Sequence, residues 1–249
     1  MPLLSKGRYV ARFADGPEDV AAAQRLRALA FHGADAPPDH DSFDDRCQHV
    51  LVEDTARGAL VCTYRLLALN SGGAIEQSYS AQHYGLSPLA CYDGKMLEVG
   101  RFCIHPDHSD PDILRVAWGA LTAYVDAASV QMLFGCSSFK GTSGEAYLDA
   151  FALLKARHLA PPHWLPRVKA ASIFLYADRL ELHRPDMKTA MQSMPPLLRT
   201  YLAMGGWVSD HAVIDRLMNT LHVFTALEIA NIPPARAAAL RAVAATAPQ

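Results

Sequence analysis

The amino-acid sequence predicts a mixed α/β fold, and three observations lead to this prediction. Apolar segments typical of strands recur along the chain, and segments with apolar residues at helical spacing lie between them. Their order is strand, helix, several strands, helix, strand, helix and a mixed C-terminal part, which is the pattern of a sheet covered by helices. With 249 residues, 51% of them hydrophobic, the chain can bury a substantial core.

In the N-terminal half, alternating residues indicate an opening strand, and Pro17, followed by acidic residues, marks the start of a helix. A polar loop follows this helix, and a turn at residues 55–58 separates two further strands. The predicted elements are strands at residues 8–13, 49–53 and 59–67, a helix at residues 17–30, a loop at residues 33–45, a second turn at residues 70–73 and a buried central strand at residues 96–104.

In the C-terminal half, helices alternate with short apolar strands. Gly205 and Gly206 end one helix, and an Ala-rich segment predicts the last one. The predicted elements are helices at residues 112–128, 145–159, 197–204 and 235–247, and strands at residues 131–137, 168–176 and 221–229. Since no linker marks a boundary, we expect residues 1–249 to form a single domain with a helical C-terminal tail.

Cysteine usage and hydropathy bear on the compartment. Five cysteines without a CxxC pair, and no recognisable signal peptide, predict reduced thiols in the cytoplasm. No apolar run reaches the roughly 18 residues that a spanning helix requires, which leaves peripheral contact with the inner membrane surface open. The net charge of −2 argues against nucleic-acid binding over the whole surface.

Charge is distributed unevenly along the chain. Residues 33–54 contain seven acids and one base, whereas residues 151–200 contain eight Lys or Arg and three acids. Solvated loops and helix faces explain both segments. The alternative is a cationic substrate near the first segment and an acidic partner near the second. The basic residues are Lys155, Arg157, Arg167, Lys169, Arg179, Arg184, Lys188 and Arg199.

The central strand carries two charged residues, Glu98 and Arg101, which are costly to bury unpaired. Residues three apart face opposite sides of a strand unless a bulge intervenes, and Gly100 is where a bulge would lie. One interpretation is an edge strand in which Glu98 pairs with an arginine across the sheet. The other is catalytic, because a carboxylate in a cleft can deprotonate an amine before it attacks a thioester. Spacing alone does not separate the two.

Several motifs, in order, resemble the ornithine lipid synthases, the bacterial ornithine N-acyltransferases. The resemblance covers about residues 8–229. The motifs are Phe43-Asp44 with Cys47-Gln48-His49, Thr63-Tyr64-Arg65-Leu66-Leu67, Glu98-Val99-Gly100-Arg101, Phe134-Gly135-Cys136-Ser137-Ser138-Phe139, and residues 195–202.

This resemblance implies a GNAT-like acyltransferase fold with a mixed, mostly antiparallel sheet splayed at a central cleft, similar to the acyl-homoserine-lactone synthases. It implies a reaction in which acyl carrier protein, through its 4′-phosphopantetheine, donates a 3-hydroxy fatty acyl chain to the α-amine of L-ornithine, with no bound cofactor. The implied catalytic residues are Glu98, as general base, and Arg101. The implied substrate-binding residues are Arg27, Phe31, Asp44, Arg65 and Phe102, and the implied acyl-pantetheine-binding residues are Cys103, Ile104, Phe134, Gly135, Cys136, Ser137 and Ser138.

The chain departs from the family pattern in three places. Gln48 stands where the family often has Asp, which removes one acidic candidate. The family usually has Ser after Gly-Arg, whereas this chain has Phe102, which is the residue that the lactone synthases have. Coenzyme-A acetyltransferases have a glycine-rich loop that binds the pyrophosphate after the central strand, and residues 105–111 of this chain contain no glycine. This difference favours a carrier-protein donor.

Each implied site residue also has a structural alternative. Arg27 and Phe31 share a helix face, where Arg27 could extend over a core aromatic residue. Asp44 could cap a turn. Arg65 interrupts an apolar strand and therefore needs an anionic partner, which could be Asp44, Glu98 or a substrate carboxylate. Residues 134–139 could be a core strand with a turn, or could offer backbone groups to pantetheine or the oxyanion.

We expect no metal site and no covalent intermediate. Cys103 with His105 and His108, and Cys47 with His49, lack the paired spacings of zinc sites. Nothing selects Cys136 as a nucleophile, and direct aminolysis needs none. The alternative functions are an acyl-homoserine-lactone synthase, an acyltransferase for another amino acid such as glutamine, and a silent acyl-binding module.

Overall fold

The computed structural model describes residues 2–245, which form a mixed, mostly antiparallel sheet flanked by helices, as predicted. The elements are β1 (Pro2–Lys6), β2 (Tyr9–Phe13), α1 (Pro17–His32), β3 (Gln48–Asp54), β4 (Ala59–Leu69), α2 (Ser80–His83), β5 (Tyr84–Gly85), β6 (Met96–Ile104), α3 (Pro111–Ala128), β7 (Met132–Lys140), α4 (Leu148–Arg157), β8 (Arg167–Val168), β9 (Ile173–Phe174), α5 (Tyr176–Arg179), α6 (Met187–Ser193), α7 (Pro196–Ala203), β10 (Trp207–Val208), β11 (Ala212–Asp215), β12 (Thr220–Glu228) and α8 (Pro234–Ala244). Short 3₁₀ helices lie at Gly72–Gln77, Ser87–Cys91, Gly144–Tyr147 and Ile229–Asn231.

The described chain divides into two compact units. The first contains the residues up to Ala68, Val99–Val130 and the residues from Pro233 onward. Its strands lie in the order β1, β2, β3, β4, β6, and β1 to β4 are joined as successive antiparallel neighbours. Helix α3 packs on β1 and β2 and against α8. The packing is close at Gly119, where a Cβ atom would lie 2.5 Å from a Leu4 methyl group, so that position admits no larger residue without a shift.

The second unit contains Leu69–Glu98 and Gln131–Ile232. Within it, β6 pairs in parallel with β7 from Met96 to Glu98, and β7 pairs antiparallel with β12 along its whole length. Strands β10 and β11 also pair with β12, β9 pairs with β11, and β5 and β8 form a separate two-stranded sheet. Its main core joins α4, α6 and α7 to the inner faces of β11 and β12.

Most predicted elements are present, with β6 at the predicted bounds. Three predictions are wrong. The segment predicted to open the fold is the second strand, because Gly7, with φ 58°, reverses the chain after β1. The strand predicted at residues 168–176 is not continuous: β8 ends at Val168, β9 contains only Ile173–Phe174, and α5 begins at Tyr176. Helix α6, which the sequence analysis missed, begins where the Asp186 side chain accepts a hydrogen bond from the Thr189 N–H.

Two further predictions concern the chain ends and the membrane. The predicted terminal helix corresponds to α8, and residues 246 and 247 of that prediction lie outside the described residues. Within residues 2–245, no helix has both the length and the hydropathy needed to cross a bilayer. All five cysteines are thiols. The single-domain organisation and the splayed cleft stay predictions.

Candidate active site

Glu98 lies in the second unit at the point where β6 pairs with β7, and it is only 4% exposed. Its carboxylate accepts three hydrogen bonds from the start of α2. The Tyr79 N–H donates to Oε2 at 2.8 Å, and both the N–H and the hydroxyl of Ser80 donate to Oε1, at 2.7 and 2.6 Å. These donors fix the carboxylate in the interior and offset the cost of burying its charge.

This geometry corrects the edge-strand interpretation. β6 lies between β4 and β7, so it is an interior strand of the sheet. Both oxygens of Glu98 meet donors from Tyr79 and Ser80, which are two backbone N–H groups and one hydroxyl.

Ser80 is a residue that the sequence analysis missed. It is fully buried, and its Oγ lies 2.6 Å from Glu98 Oε1 and 3.5 Å from the sulfur of Cys136 on β7. No motif at residues 78–80 distinguishes this serine. Since it is 18 residues from Glu98 and 56 from Cys136, only the fold brings the three together.

The first unit contains a cluster of paired Arg and Asp side chains. Arg27 on α1, 1% exposed, donates to both oxygens of Asp44 at 2.7 and 2.8 Å. Arg65 on β4, 3% exposed, donates to Asp44 at 2.9 Å and to Asp41 at 2.6 and 2.8 Å. Asp44 was one of the partners considered for Arg65 from the sequence, and the two side chains are hydrogen-bonded in the structure. Removing one member of a buried pair of this kind typically costs about 3–5 kcal/mol.

Arg101 completes this cluster from β6. Its Nε lies 3.1 Å from Asp39, and one of its terminal nitrogens lies 3.2 Å from Asp41. Its φ is 51°, in the left-handed region, whereas the neighbouring Gly100 has no positive φ. Such a conformation costs a non-glycine residue about 1–3 kcal/mol, and strained residues of this kind cluster at functional sites. The backbone irregularity that we expected at Gly100 is thus found at the next residue, Arg101.

Electrostatics keeps the cluster ionised. Burial opposes ionisation of Asp44, but the hydrogen bonds and charge of Arg27 outweigh it, and the pKa of Asp44 lies below its usual value. The pKa of Asp41 is lowered in the same way, with Arg65 outweighing burial. Burial lowers the pKa of His49, whose Nε2 lies 3.0 Å from the Asp44 carbonyl oxygen. The acids of the predicted acidic segment are therefore largely balanced by arginines of the same unit.

The remaining predicted residues of the first unit are buried or half-buried. Phe102 stacks on Tyr64, with ring centroids 5.2 Å apart. Cys103 is buried, and burial raises its pKa to about 12, which keeps it a thiol at neutral pH. Phe31 and Ile104 are half-buried.

The predicted acyl-pantetheine residues of the second unit lie on β7. The turn expected after Gly135 is absent from this part of the described chain, because β7 continues to Lys140 and pairs with β12 throughout. Phe134 and Ser137 are buried, and the Ser137 hydroxyl accepts a hydrogen bond from Thr225 at 2.9 Å. Cys136 is half-buried and faces Ser80, and Ser138 is exposed.

The eight basic residues of residues 151–200 all belong to the second unit, and all except the half-buried Lys155 are exposed. Two of these side chains form hydrogen bonds with backbone carbonyl groups: Lys169 donates to the Ala81 carbonyl at 2.6 Å, and Arg199 donates to the Met191 carbonyl at 3.3 Å. An acidic protein could meet this surface without burying unpaired charge.

Comparisons with known proteins agree with the predicted family. The sequence family described as an acetyltransferase (GNAT) domain matches residues 26–119. The L-ornithine N(alpha)-acyltransferase of Rhodobacter capsulatus is 33% identical over 235 residues, which is 88% of this chain and 90% of that protein. The enzyme of the same name from Brucella abortus is 30% identical over 91% of this chain and 86% of that protein.

A solved structure supports the fold. The N-acyl amino acid synthase FeeM, from uncultured soil microbes, superposes with a TM-score of 0.52 over 92% of this chain and 94% of that chain, at 12% sequence identity. At this identity the similarity concerns the fold, which is therefore of the GNAT type.

Proposed function

Because the chain belongs to the L-ornithine N(alpha)-acyltransferases, and is thus an acyltransferase, we propose that it moves a 3-hydroxy fatty acyl group from acyl carrier protein to the α-amine of L-ornithine. The product is an N-acyl-ornithine, lyso-ornithine lipid. This is the first step of ornithine lipid synthesis.

The observation that carries this proposal is the buried carboxylate of Glu98, held by Tyr79 and Ser80. The α-ammonium of an amino acid must lose a proton before its nitrogen can attack a carbonyl carbon. A fixed carboxylate accepts such a proton directly or through one water molecule. Glu98 thus acts as the general base.

The reaction exchanges one acyl bond for another. The amine nitrogen attacks the thioester carbonyl, a C–N bond forms, and the carbonyl oxygen becomes an oxyanion that hydrogen-bond donors stabilise. The oxyanion then collapses, the C–S bond breaks, and the pantetheine sulfur leaves as a thiolate. The nitrogen loses a second proton once the C–N bond has formed, and this proton neutralises the thiolate. The first proton, taken up by Glu98 before the attack, passes to solvent, so that the amide, the free carrier thiol and one H⁺ are released.

Acceptor binding falls to the Arg and Asp cluster of the first unit. Asp44 is 1% exposed at its side chain and holds two arginines, so it positions the cluster. Asp41, with 23% of its side chain exposed, is the more accessible carboxylate and suits contact with the substrate ammonium. Arg65 and Arg101 hold Asp41 and can exchange it for the substrate carboxylate. Arg27, with Phe31 and Phe102, shapes the surroundings of the acceptor.

Donor binding falls to β7 and the basic residues of the second unit. Carrier-bound pantetheine is a thin, extended chain that strand residues can bind through backbone groups, and we assign it to residues 134–138 of β7. Acyl carrier protein is acidic, so exposed cations such as Arg184 and Lys188 would steer it to the enzyme. Phosphopantetheine enters with the donor, and no resident cofactor is required. The lipid-like product leads us to place the enzyme in the cytoplasm, peripherally at the inner membrane surface.

The proposal is tested by incubating the purified protein with 3-hydroxyacyl carrier protein and, separately, ornithine, glutamine, lysine and S-adenosylmethionine. Mass spectrometry identifies the products, and 3-hydroxyacyl-coenzyme A replaces the carrier in a parallel series. N-acyl-ornithine from the carrier-bound donor is the expected result. A lactone would indicate an acyl-homoserine-lactone synthase, N-acyl-glutamine a different acceptor, and no product at all a silent acyl-binding module; each would contradict the proposal.

A further inference from the structure

Three potential metal ligands that have no part in the site described above meet in the second unit. They are His83 at the end of α2, Asp215 at the end of β11 and His222 on β12. One ligand atom from each lies within 4.8 Å of the other two. Among the residues that the structure describes, this is the group of three or more His, Cys, Asp or Glu residues that meets this distance. The pairs considered from the sequence, at Cys103 and Cys47, are not part of it.

The pairing of β11 with β12 explains how two of the ligands meet. Asp215 lies opposite Thr220, and His222 follows Thr220 by two residues, so Asp215 and His222 share one face of the hairpin. The Met218 N–H donates to Asp215 Oδ1 at 3.0 Å and fixes this carboxylate at the turn. The His83 and His222 rings then approach edge to face, with centroids 4.9 Å apart.

Tyr84 determines which nitrogen of His222 can bind a cation. The Tyr84 hydroxyl donates to the His222 carbonyl oxygen at 2.7 Å, and it lies 3.2 Å from His222 Nδ1. Because the single hydrogen of this hydroxyl is directed at the carbonyl oxygen, the hydroxyl accepts from Nδ1–H, which leaves the lone pair of the neutral ring on Nε2. A second-sphere hydrogen bond of this kind typically orients a metal-binding histidine.

We propose that His83, Asp215 and His222 bind one divalent transition-metal ion of the Zn²⁺ type. Two imidazoles and a carboxylate are a common Zn²⁺ ligand set, with a fourth position for water, and imidazole ligands disfavour Mg²⁺ and Ca²⁺. For three atoms no more than 4.8 Å apart, a central point is at most about 2.8 Å from each atom, and zinc bonds are about 2.0–2.2 Å. Inward movements of at most about 0.7 Å per side chain therefore complete the site.

The metal would join α2 to the β11–β12 hairpin. His83 is three residues after Ser80, whose N–H and hydroxyl hold Glu98, so the ion would restrain the segment that positions this carboxylate. That consequence for catalysis rests on the proposed function, whereas metal binding and its effect on stability do not.

The test uses the full chain after treatment with a chelator. Calorimetric titration with Zn²⁺ should show one equivalent bound at micromolar Kd or tighter, and Zn²⁺ at a hundredfold excess over Kd should raise Tm by about 5–10 °C. His83→Ala and Asp215→Asn should each weaken binding at least about tenfold and, at the same Zn²⁺ concentration, reduce the Tm rise by at least about half. Asp215→Asn retains an oxygen for the Met218 N–H, so it should fold.

His163→Ala is the matched control, because His163 is an exposed histidine of the same unit, and this variant should bind Zn²⁺ like the parent. Absence of a stoichiometric site in the parent would overturn the proposal. So would parent-like Zn²⁺ binding in both ligand variants, which would assign the ion to other histidines. Metal binding without N-acyl-ornithine synthesis would leave this proposal intact and contradict only the proposed function.

Discussion

The hydroxyl of Ser80 donates a 2.6 Å hydrogen bond to Oε1 of Glu98, and both side chains are buried. Together with the N–H groups of Tyr79 and Ser80, it fixes the position of the carboxylate that we assign as general base. Ser80 is therefore a positioning residue.

Removing the Ser80 hydroxyl should reduce turnover. A hydrogen bond to a charged group is worth about 1.5–3 kcal/mol, so Ser80→Ala should lower kcat by roughly 10–100-fold with little change in KM for ornithine. Ser80→Cys has a similar size but donates weakly, and it should show a comparable loss. Steady-state kinetics of both variants, with thermal unfolding alongside, measure the effect.

Ser209→Ala is the matched control, because Ser209 is equally buried, and its hydroxyl bonds the His211 carbonyl, far along the chain from Glu98. It should lower Tm and leave kcat unchanged. An equal loss of kcat in Ser80→Ala and Ser209→Ala would show that the Ser80 effect is merely structural.

Asp41 should discriminate between acceptors. If it contacts the ornithine ammonium, Asp41→Asn should raise KM for ornithine by about 10–100-fold and leave KM for the acyl donor unchanged. Asp35→Asn, at an exposed acid of the same loop, should behave like the parent. An Asp41→Asn enzyme with parent-like KM for ornithine would remove Asp41 from the acceptor site.

Stability should fall in two stages as the pH decreases. Burial lowers the pKa of His49, so the unfolded chain takes up this proton near pH 6.5 while the folded chain resists it, and stability decreases below that pH. The pKa values of Asp41 and Asp44 are also lowered, and hydrogen bonds from Arg12 lower that of Asp19 to about 2. The unfolded chain binds these protons near pH 4, so a second decrease follows below pH 4.

Urea unfolding between pH 3 and 8 measures both stages. His49→Gln should lessen the decrease between about pH 6.5 and 5, to which His158, whose pKa burial also lowers, contributes as well. Asp44→Asn should lessen the decrease below pH 4. Asp44→Asn should also lose about 3 kcal/mol at pH 7, because Arg27 and Arg65 remain buried with fewer partners. Asp45→Asn, at the exposed neighbouring position, serves as its control. A pH profile that is the same in the parent and in both variants would contradict this account.

The exposed basic residues of the second unit should affect binding of the carrier protein and no other step of the reaction. The double variant Arg184→Glu, Lys188→Glu should raise KM for acyl carrier protein by about tenfold at low salt, and less at high salt, because charge steering is screened. Its activity with any acyl-coenzyme A that the parent accepts should be unchanged. Arg25→Glu reverses an exposed cation of the first unit and provides the control. Equal effects of the double variant and Arg25→Glu would point to net charge rather than a docking surface.

Much of the fold was predictable, because hydrophobic periodicity and the Pro or Gly residues at element ends mark the long helices and strands in the local sequence. Residues 96–104 are a continuous apolar strand in the sequence and in the structure, and Pro17 starts α1 as predicted. The two-residue strands β8, β9 and β10 depend on their sheet partners, so no local pattern reveals them.

The residues of the site were more predictable than the contacts between them. Glu98 and Arg65 are distinguished by sequence as charges within apolar segments, whereas Arg27 and Asp44 were candidates through the family resemblance. That Ser80 binds Glu98, that Asp41 bridges Arg65 and Arg101, and that His83 meets His222 are contacts between distant segments. Only the fold determines them.

The most direct measurement of the central claim is the single-turnover rate of Glu98→Gln with 3-hydroxyacyl carrier protein and ornithine. The amide retains an oxygen for the Ser80 donors but cannot accept the proton of the amine, so the acylation rate should fall by about 10²–10⁴-fold while thermal unfolding stays cooperative. Acylation at the parent rate by a folded Glu98→Gln protein would show that Glu98 is not the general base.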